Sequence, residues 1–408
     1  MELLNQFEVS NLLDVSLHRL NTWMRNGKLT PNNITSKNRI YHKENLFQFN
    51  IAKEVFNTGW DDFIKIRPNR EYTSIELFAG AGGMAIGMEK AGFKHILLNE
   101  NDKHACSTLR HNRPNWNVLE GDIERVDFTN YRGKVDIVTG GFPCQAFSHA
   151  GKKLGFEDTR GTLFFEFARC IKEVKPKIFI GENVKGLLNH DNGNTLAVIK
   201  QTIKELGYTL IEPRVLKAMY YKVPQKRERL ILVAVRNDLA QNINDFKFPE
   251  KYHQVLTVKD AFKKGVLFNN DVPESEGVSY PRRKKEIMDL VPEGGYWQDL
   301  PDRLQREYMG GSYFLGGGKT GLARRLALNS PSLTIVCSPA MKQTERCHPT
   351  ETRPLTIRES ARIQTFPDDW SFQGAKGQQY KQIGNAVPVN LAFAIGLSAV
   401  DYLNKLEE

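Results

Sequence analysis

Residues 74–83 read Ser74-Ile-Glu-Leu-Phe-Ala-Gly-Ala-Gly-Gly83. The first five are short and apolar enough for a buried strand. The glycines that follow allow a sharp turn and a close approach of backbone to a ligand. Met84–Ala91 reads as a helix and His95–Asn99 as the next strand, ended by Glu100. The rhythm then continues outward. A helix is expected over Lys103–Arg110, then a strand at Asn117–Glu120 ahead of Gly121-Asp122. Further strands fall at Val135–Thr139, Lys177–Ile180 and Arg229–Val235, with helices between. This alternation predicts an α/β fold with a doubly wound, mostly parallel, Rossmann-like sheet, whose ligands sit beyond the carboxyl ends of the strands.

Upstream, residues 1–58 have a different texture. Val9–Ser16 and Leu17–Gly27 predict two short helices with Ser10 and Ser16 as N-caps, and Asn26-Gly27 as a stop. A basic wing running to Tyr41 and a closing helix over Lys43–Phe49 complete the unit. It resembles the helix-turn-helix modules of the MerR and excisionase type, in which the second helix enters the major groove. That resemblance makes His18, Arg19, Asn21 and Arg25 the expected DNA-reading face. Residues 59–71 read as a linker. Residues 72–265 together with 380–408 form the expected catalytic domain. Between them, residues 266–379 are irregular and rich in Gly, Pro and basic residues, and predict a smaller domain of loops and short strands.

The 408 residues carry a formal charge of +10, which favours a polyanionic partner. Five cysteines (Cys106, Cys144, Cys170, Cys337, Cys347) show no CxxC pairing, so they read as reduced thiols rather than a disulfide framework or a zinc site. No metal is expected. The N-terminus lacks a signal-peptide pattern and no apolar run approaches a membrane span. A cytoplasmic, nucleoid-associated monomer is expected, with no membrane partner.

Three stretches carry the chemistry. The turn at 79–83 departs from the dinucleotide G-x-G-x-x-G spacing. Glu100 after the second strand suits two ribose hydroxyls, and Asp122 after the third suits an adenine amine. With no Walker lysine, the set fits an adenosine-bearing ligand such as S-adenosylmethionine. Next, Thr139-Gly-Gly-Phe-Pro-Cys144-Gln places a lone cysteine on a shaped loop, as a candidate nucleophile or a small buried hydrophobe. Finally, Glu182-Asn183-Val184 and Gln225-Lys-Arg227-Glu-Arg229 also fall at strand ends. All three motifs should meet on one side of the sheet.

In this order the motifs resemble the DNA (cytosine-5)-methyltransferases of bacterial restriction–modification systems. The likeness runs from Ile75–Gly83 through Asn99-Glu100, Gly121–Ile123, Gly141–Ser148, Gly181–Val184, Gln225–Arg229 and Arg358–Pro367 to Gly384–Pro388. It covers residues 72–265 and 353–400. One departure is Ala150, where some relatives carry a serine.

The resemblance implies the S-adenosylmethionine-dependent methyltransferase fold and a catalytic set of Cys144, Glu182, Arg227 and Arg229. Cys144 attacks cytosine C6, Glu182 holds the N3 and N4 edge, and the two arginines position base, loop or carboxylate. It implies a cofactor shell of Phe78, Gly80, Ala81, Gly82, Glu100, Asn101, Asp122, Ile123, Pro143, Leu163, Asn385 and Val387. Asn385 and Val387 lie far along the chain, so the C-terminal segment must fold back beside the first strand. The partner implied is double-stranded DNA, with a cognate restriction endonuclease as functional counterpart. Ser148, Lys152, Lys153 and Arg160 suit a lid that grips phosphates over a flipped base. Target reading is expected from about 266–352, with Arg324, Arg325 and Gln343 as candidates, on a helical platform at Thr356–Arg362. Two alternatives remain: an RNA cytosine-5 methyltransferase, and a dual methyltransferase and transcriptional autoregulator acting through residues 1–58.

Overall fold

The computed structural model describes residues 3–34, 38–143, 163–316 and 319–407. The chain opens with β1 (Leu3–Asn5), α1 (Gln6–Leu12), α2 (Leu17–Arg25), β2 (Asn33–Ile34), β3 (Arg39–His42), α3 (Asn50–Phe56) and α4 (Trp60–Phe63). The three strands form an antiparallel sheet in the order β1-β3-β2. Ser16 caps α2, accepting from the Arg19 N–H at 3.1 Å. Ser10 does not cap α1. It lies inside the helix and its hydroxyl donates to the Val15 carbonyl at 2.6 Å. The cap is Asn5, whose side chain accepts from the Phe7 and Glu8 N–H groups while Glu8 accepts from the Asn5 N–H at 2.7 Å. This reciprocal box satisfies orphan donors five residues earlier than the serine would.

The main sheet contains β4 (Tyr72–Leu77), β5 (Phe93–Glu100), β6 (Val118–Glu120), β7 (Ile137–Gly140), β8 (Ile178–Val184), β9 (Tyr208–Leu210), β10 (Arg214–Lys217) and β11 (Glu228–Arg236). Its order is β10-β11-β8-β7-β4-β5-β6, with β9 paired to β11. The five strands from β8 to β6 are parallel. β11 runs antiparallel to β8, with Arg229 opposite Val184. That reversal brings the start of β11 to the side where the parallel strands end. Helices α5 (Gly83–Ala91), α6 (Lys103–Asn112), α7 (Leu163–Val174) and α8 (Asn194–Glu205) cover the sheet. They bury the apolar strands on both faces, as a parallel sheet requires.

After α9 (Val258–Phe262) come α10 (Arg282–Met288) and α11 (Asp302–Met309). This region was expected to hold loops and short strands; among the described residues it holds these helices and only isolated bridges such as Arg325 with Cys347. Its own core gathers Tyr280, Met288, Trp297, Tyr308, Met309, Leu322 and Cys347. Within it Glu345 is fully buried and paired with Lys284 at 2.7 Å.

The chain closes with α12 (Ile357–Ile363), α13 (Lys376–Asn385) and α14 (Val389–Glu407). Thr356 and Glu359 make a capping box at α12. The run 376–407 is long and apolar enough to cross a membrane, but 83% of that apolar window is buried inside the protein. α14 packs on α5 where glycines permit it. A Cβ on Gly87 would fall 2.4 Å from the Ala392 Cβ, and one on Gly396 would fall 2.7 Å from the Ala91 Cβ. The C-terminal segment thereby returns to the first β-α unit.

The first 64 residues are not set apart. Val9, Leu12, Leu20 and Trp60 belong to the same apolar cluster as Tyr220, Tyr221, Val223, Leu256 and Tyr402. Trp60, in the stretch expected to be a linker, is buried edge-on against Tyr252, with ring centroids 5.4 Å apart.

Candidate active site

The carboxyl ends of β4, β5, β7 and β8 open onto a cleft of about 750 Å³. The start of β11, residues 334–337 and residues 384–387 close its other walls. Its size lies within the range of small-molecule sites.

The floor is the glycine turn. Phe78 and Gly80 both sit at positive φ (57° and 54°), and Gly82 caps α5 at φ 87°. A side chain on Gly80 would meet nothing within 4 Å, so this backbone faces open cleft. Glu100 ties the turn to the end of β5. One carboxylate oxygen accepts from the Gly80 N–H at 2.7 Å, the other from Asn101 at 2.8 Å and Asp102 at 2.7 Å. A carboxylate has about four lone-pair positions, so acceptor capacity remains for a ligand hydroxyl.

A charged wall lies opposite. Arg229 Nε stands 2.5 Å from Glu182 Oε1. Asn183 donates to the Phe142 carbonyl at 2.7 Å and so fastens the Gly141–Pro143 loop to β8. Gly141 leaves room for the carboxylate, since a Cβ would fall 2.8 Å from Glu182 Oε2 and would displace it. Arg227 is buried and donates to the carbonyls of Ile335 (3.1 Å) and Gly384 (3.0 Å). Burial, and then the neighbouring Arg229 charge, pull its guanidinium down to about 9, with Glu182 and Cys337 opposing. It remains cationic at neutral pH. Gln225 completes this corner, accepting from the Ile335 N–H at 2.8 Å and donating to Gln364 at 2.8 Å.

Sequence reasoning passed over Glu76. It lines the cleft from β4 and is almost fully buried, with Oε2 lacking a hydrogen-bond partner. Burial pushes this carboxyl well above the usual carboxylate range; the Glu100 charge adds to the effect and the Ala85 N–H opposes it. An orphaned acid beside an open cradle fits a cationic ligand such as S-adenosylmethionine. The available signal was an acid inside an apolar strand, Ile75-Glu76-Leu77. Cys337 was also passed over. It lines the cleft and its thiol lies 3.1 Å from Asn385 Oδ1.

Of the expected cofactor shell, Phe78, Gly80, Ala81, Glu100, Pro143, Asn385 and Val387 line the cleft. Gly82 instead packs against Leu109 and Trp370. Asn101 and Asp122 are exposed beside the cleft, Asp122 capping a short turn through the Glu124 N–H. Ile123 and Leu163 pack with Phe78 in the apolar layer behind it. Cys144, Ser148, Lys152, Lys153 and Arg160 lie outside the described residues.

The expected DNA readers separate. Arg325 faces inward. It is buried, and its five N–H groups are spent on the Val291, Met288, His348 and Glu351 carbonyls and the Thr352 hydroxyl. Arg324 is half-buried over the Tyr296 ring, 5.5 Å from its centroid. Gln343 is exposed. In the N-terminal unit His18, Arg19 and Arg25 are exposed, while Asn21 accepts from Arg39. A second cleft of about 790 Å³, lined by His348, Arg353 and Glu359, lies apart from the strand ends. Arg353 and Glu359 there neutralise each other at 2.8 Å.

Comparison with known proteins gives the family. Residues 72–400 match the family described as C-5 cytosine-specific DNA methylase. The chain is 63% identical to the Type II methyltransferase M.Eco47II of Escherichia coli over 402 residues, 98% of this chain and 96% of that protein. It is 37% identical to M.HhaI of Haemophilus parahaemolyticus, over 79% of this chain and 94% of that one. A crystal structure of a DNA modification methyltransferase encoded within an E. coli prophage superposes with a TM-score of 0.59 at 26% identity, covering 82% of this chain and all of that one. The match over most of the chain, with the glycine turn, Glu182 and Arg229 facing one cleft, makes this protein a member of the C-5 cytosine-specific DNA methyltransferases, which take their methyl group from S-adenosylmethionine.

Proposed function

We propose that the protein flips a target cytosine out of a short duplex site and methylates C5 through a covalent bond between Cys144 and C6. The observation that carries this reading is the Glu182–Arg229 pair at 2.5 Å, held by Gly141 and Asn183 next to the loop that runs into Cys144. Cytosine C5 is a poor nucleophile and must first be made electron-rich. Attack of the Cys144 thiolate on C6 does this, pushing an electron pair into the ring. Glu182 then meets the N3 and N4 edge, sharing a proton at N3 as charge develops. Arg229 keeps Glu182 oriented, and Arg227 fixes the 335 and 384 segments that wall the site. When bound, S-adenosylmethionine supplies an electrophilic sulfonium methyl group at C5. Phe78, Gly80, Ala81, Glu100, Pro143, Asn385 and Val387 would hold it, with Glu76 facing its cationic end. Loss of the C5 proton and of the C6–S bond restores the aromatic ring and frees the thiolate.

A base inside the stack cannot meet these groups, so flipping is needed, at a cost of a few kcal/mol. Ser148, Lys152, Lys153 and Arg160 are assigned to the lid. Residues 266–379 form the target-recognition domain, with Gln343 and Arg324 as readers. Residues 1–58 add a helix-turn-helix contact through His18, Arg19 and Arg25. A partner restriction endonuclease cuts the same site when it is unmethylated. Methylome sequencing of a host expressing wild type beside Cys144→Ser tests the core of this reading. One short motif carrying 5-methylcytosine in wild type only is expected. Unmodified DNA from soluble wild type, or methylation of transfer RNA in preference to duplex, overturns it.

A further inference from the structure

The turn between α1 and α2 reaches the catalytic domain at a charged point. Asp14, at φ 50°, sets its carboxylate 2.8 Å from Lys217 Nζ and 2.9 Å from Lys226 Nζ. Lys217 ends β10 and is paired in register with Glu228, the first residue of β11. Lys226 stands two residues before Glu228 in the chain. One carboxylate from the N-terminal unit therefore spans the mouth of the β10–β11 hairpin, the place from which Arg227 and Arg229 enter the cleft. Two further bonds seat the same end of α1. Asn11 donates to the Asn329 carbonyl at 2.8 Å, and Tyr220 donates its hydroxyl to the Leu12 carbonyl at 3.0 Å.

The placement of Arg227 depends on this mouth. Its side chain reaches the Ile335 and Gly384 carbonyls of two other segments, and its reach to them is set by where its own segment holds the backbone. That segment is held by the Ala218 N–H to the Arg227 carbonyl at 2.8 Å, the Lys226 N–H to the Ser332 carbonyl at 2.8 Å, and Asp14 on the Lys226 side chain. Charge points the same way. Lys185, Lys217 and Lys226 crowd the approach to Arg227 and Arg229, and Glu228 serves Lys185 at 3.1 Å and Lys217 at 3.7 Å. Asp14 supplies the counter-charge for Lys226 and the closer one for Lys217.

We propose that Asp14 is a positioning residue for methyl transfer: the segment ahead of the family-matched region buttresses the arginine-bearing hairpin and so acts on turnover. This rests on the catalytic reading of Glu182, Arg227 and Arg229. The test uses the full-length chain and measures kcat and both KM values for duplex and S-adenosylmethionine in wild type, Asp14→Asn, Lys226→Met, the double variant and Glu182→Gln. Asp14→Asn and Lys226→Met should each lower kcat about tenfold or more with both KM values within about twofold, since small misplacements of catalytic groups are costly. The double variant should fall little further than either single one, because both remove the same contact. If Glu182→Gln turns over like wild type, the reading of the site fails. If Glu182→Gln is inactive while Asp14→Asn, or Lys226→Met where Asp14→Asn does not fold, keeps wild-type kcat, the role of Asp14 is overturned. A raised KM for duplex with kcat unchanged overturns it as well, because that marks a DNA grip.

Discussion

Arg229 Nε and Glu182 Oε1 are 2.5 Å apart, and each side chain is about one-tenth exposed. The two residues are 47 positions apart in the chain, yet the antiparallel pairing of β11 with β8 puts Arg229 opposite Val184, two residues beyond Glu182. A short charge-assisted bond at a cleft wall orients the carboxylate toward whatever enters.

Glu182→Gln keeps the shape and removes the proton-sharing group. Methylation should fall about a hundredfold or more, the range expected of a lost general acid–base, with duplex binding retained. Gly141→Ala tests the same wall from the other side, since its Cβ would fall 2.8 Å from Glu182 Oε2. Single-turnover methylation and gel-shift binding read both variants. A fully active Gly141→Ala would show that Glu182 is not held where the structure puts it.

Glu76→Gln should separate stability from cofactor binding. Burial holds this carboxyl well above its ordinary value of 4.5. The folded chain therefore keeps a proton that the unfolded chain sheds. The group's contribution is complete below the unfolded pKa and is lost as pH climbs toward the folded value. Glutamine removes that loss, so the free variant should melt later than wild type at pH 8 and by a smaller margin at pH 5. Each unit of displacement is worth about 1.4 kcal/mol. S-adenosylmethionine should bind about tenfold more weakly, from the lost contact to a charged group. Calorimetric melting and titration measure the two; equal affinity would remove Glu76 from the cofactor site.

Arg325→Met should destabilise without changing the target. Its five N–H groups serve four carbonyls and a hydroxyl inside residues 288–352, and leaving these acceptors unpaired costs roughly 3 kcal/mol or more. Gln343→Ala, at an exposed position, should do the reverse, leaving the melting temperature alone and altering the motif. Bisulfite sequencing beside thermal melting distinguishes them. A changed motif with unchanged melting for Arg325→Met would restore it as a reader.

Much of the fold was legible because its signals are local. Apolar runs of strand length alternate with helical stretches from Tyr72 onward, and the glycine turn at 79–83 leads into α5 as read. The start of α1 was misplaced because serine is a common cap, while Asn5 and Glu8 lie earlier and satisfy more donors. The region 266–352 resisted reading because isolated bridges and buried ion pairs such as Lys284–Glu345 have no period.

By itself the sequence determined the α/β class and which residue types stand at the strand ends, since spacing encodes these directly, and its ordered motifs carried the resemblance to the family. The direction of β11, the burial of Glu76 and Arg325, and the reach of Asp14 to Lys217 and Lys226 were decided only in three dimensions. Each depends on which distant segments become neighbours, and a side chain's role changes with its partners: the same arginine is a reader when exposed and a strut when five acceptors surround it.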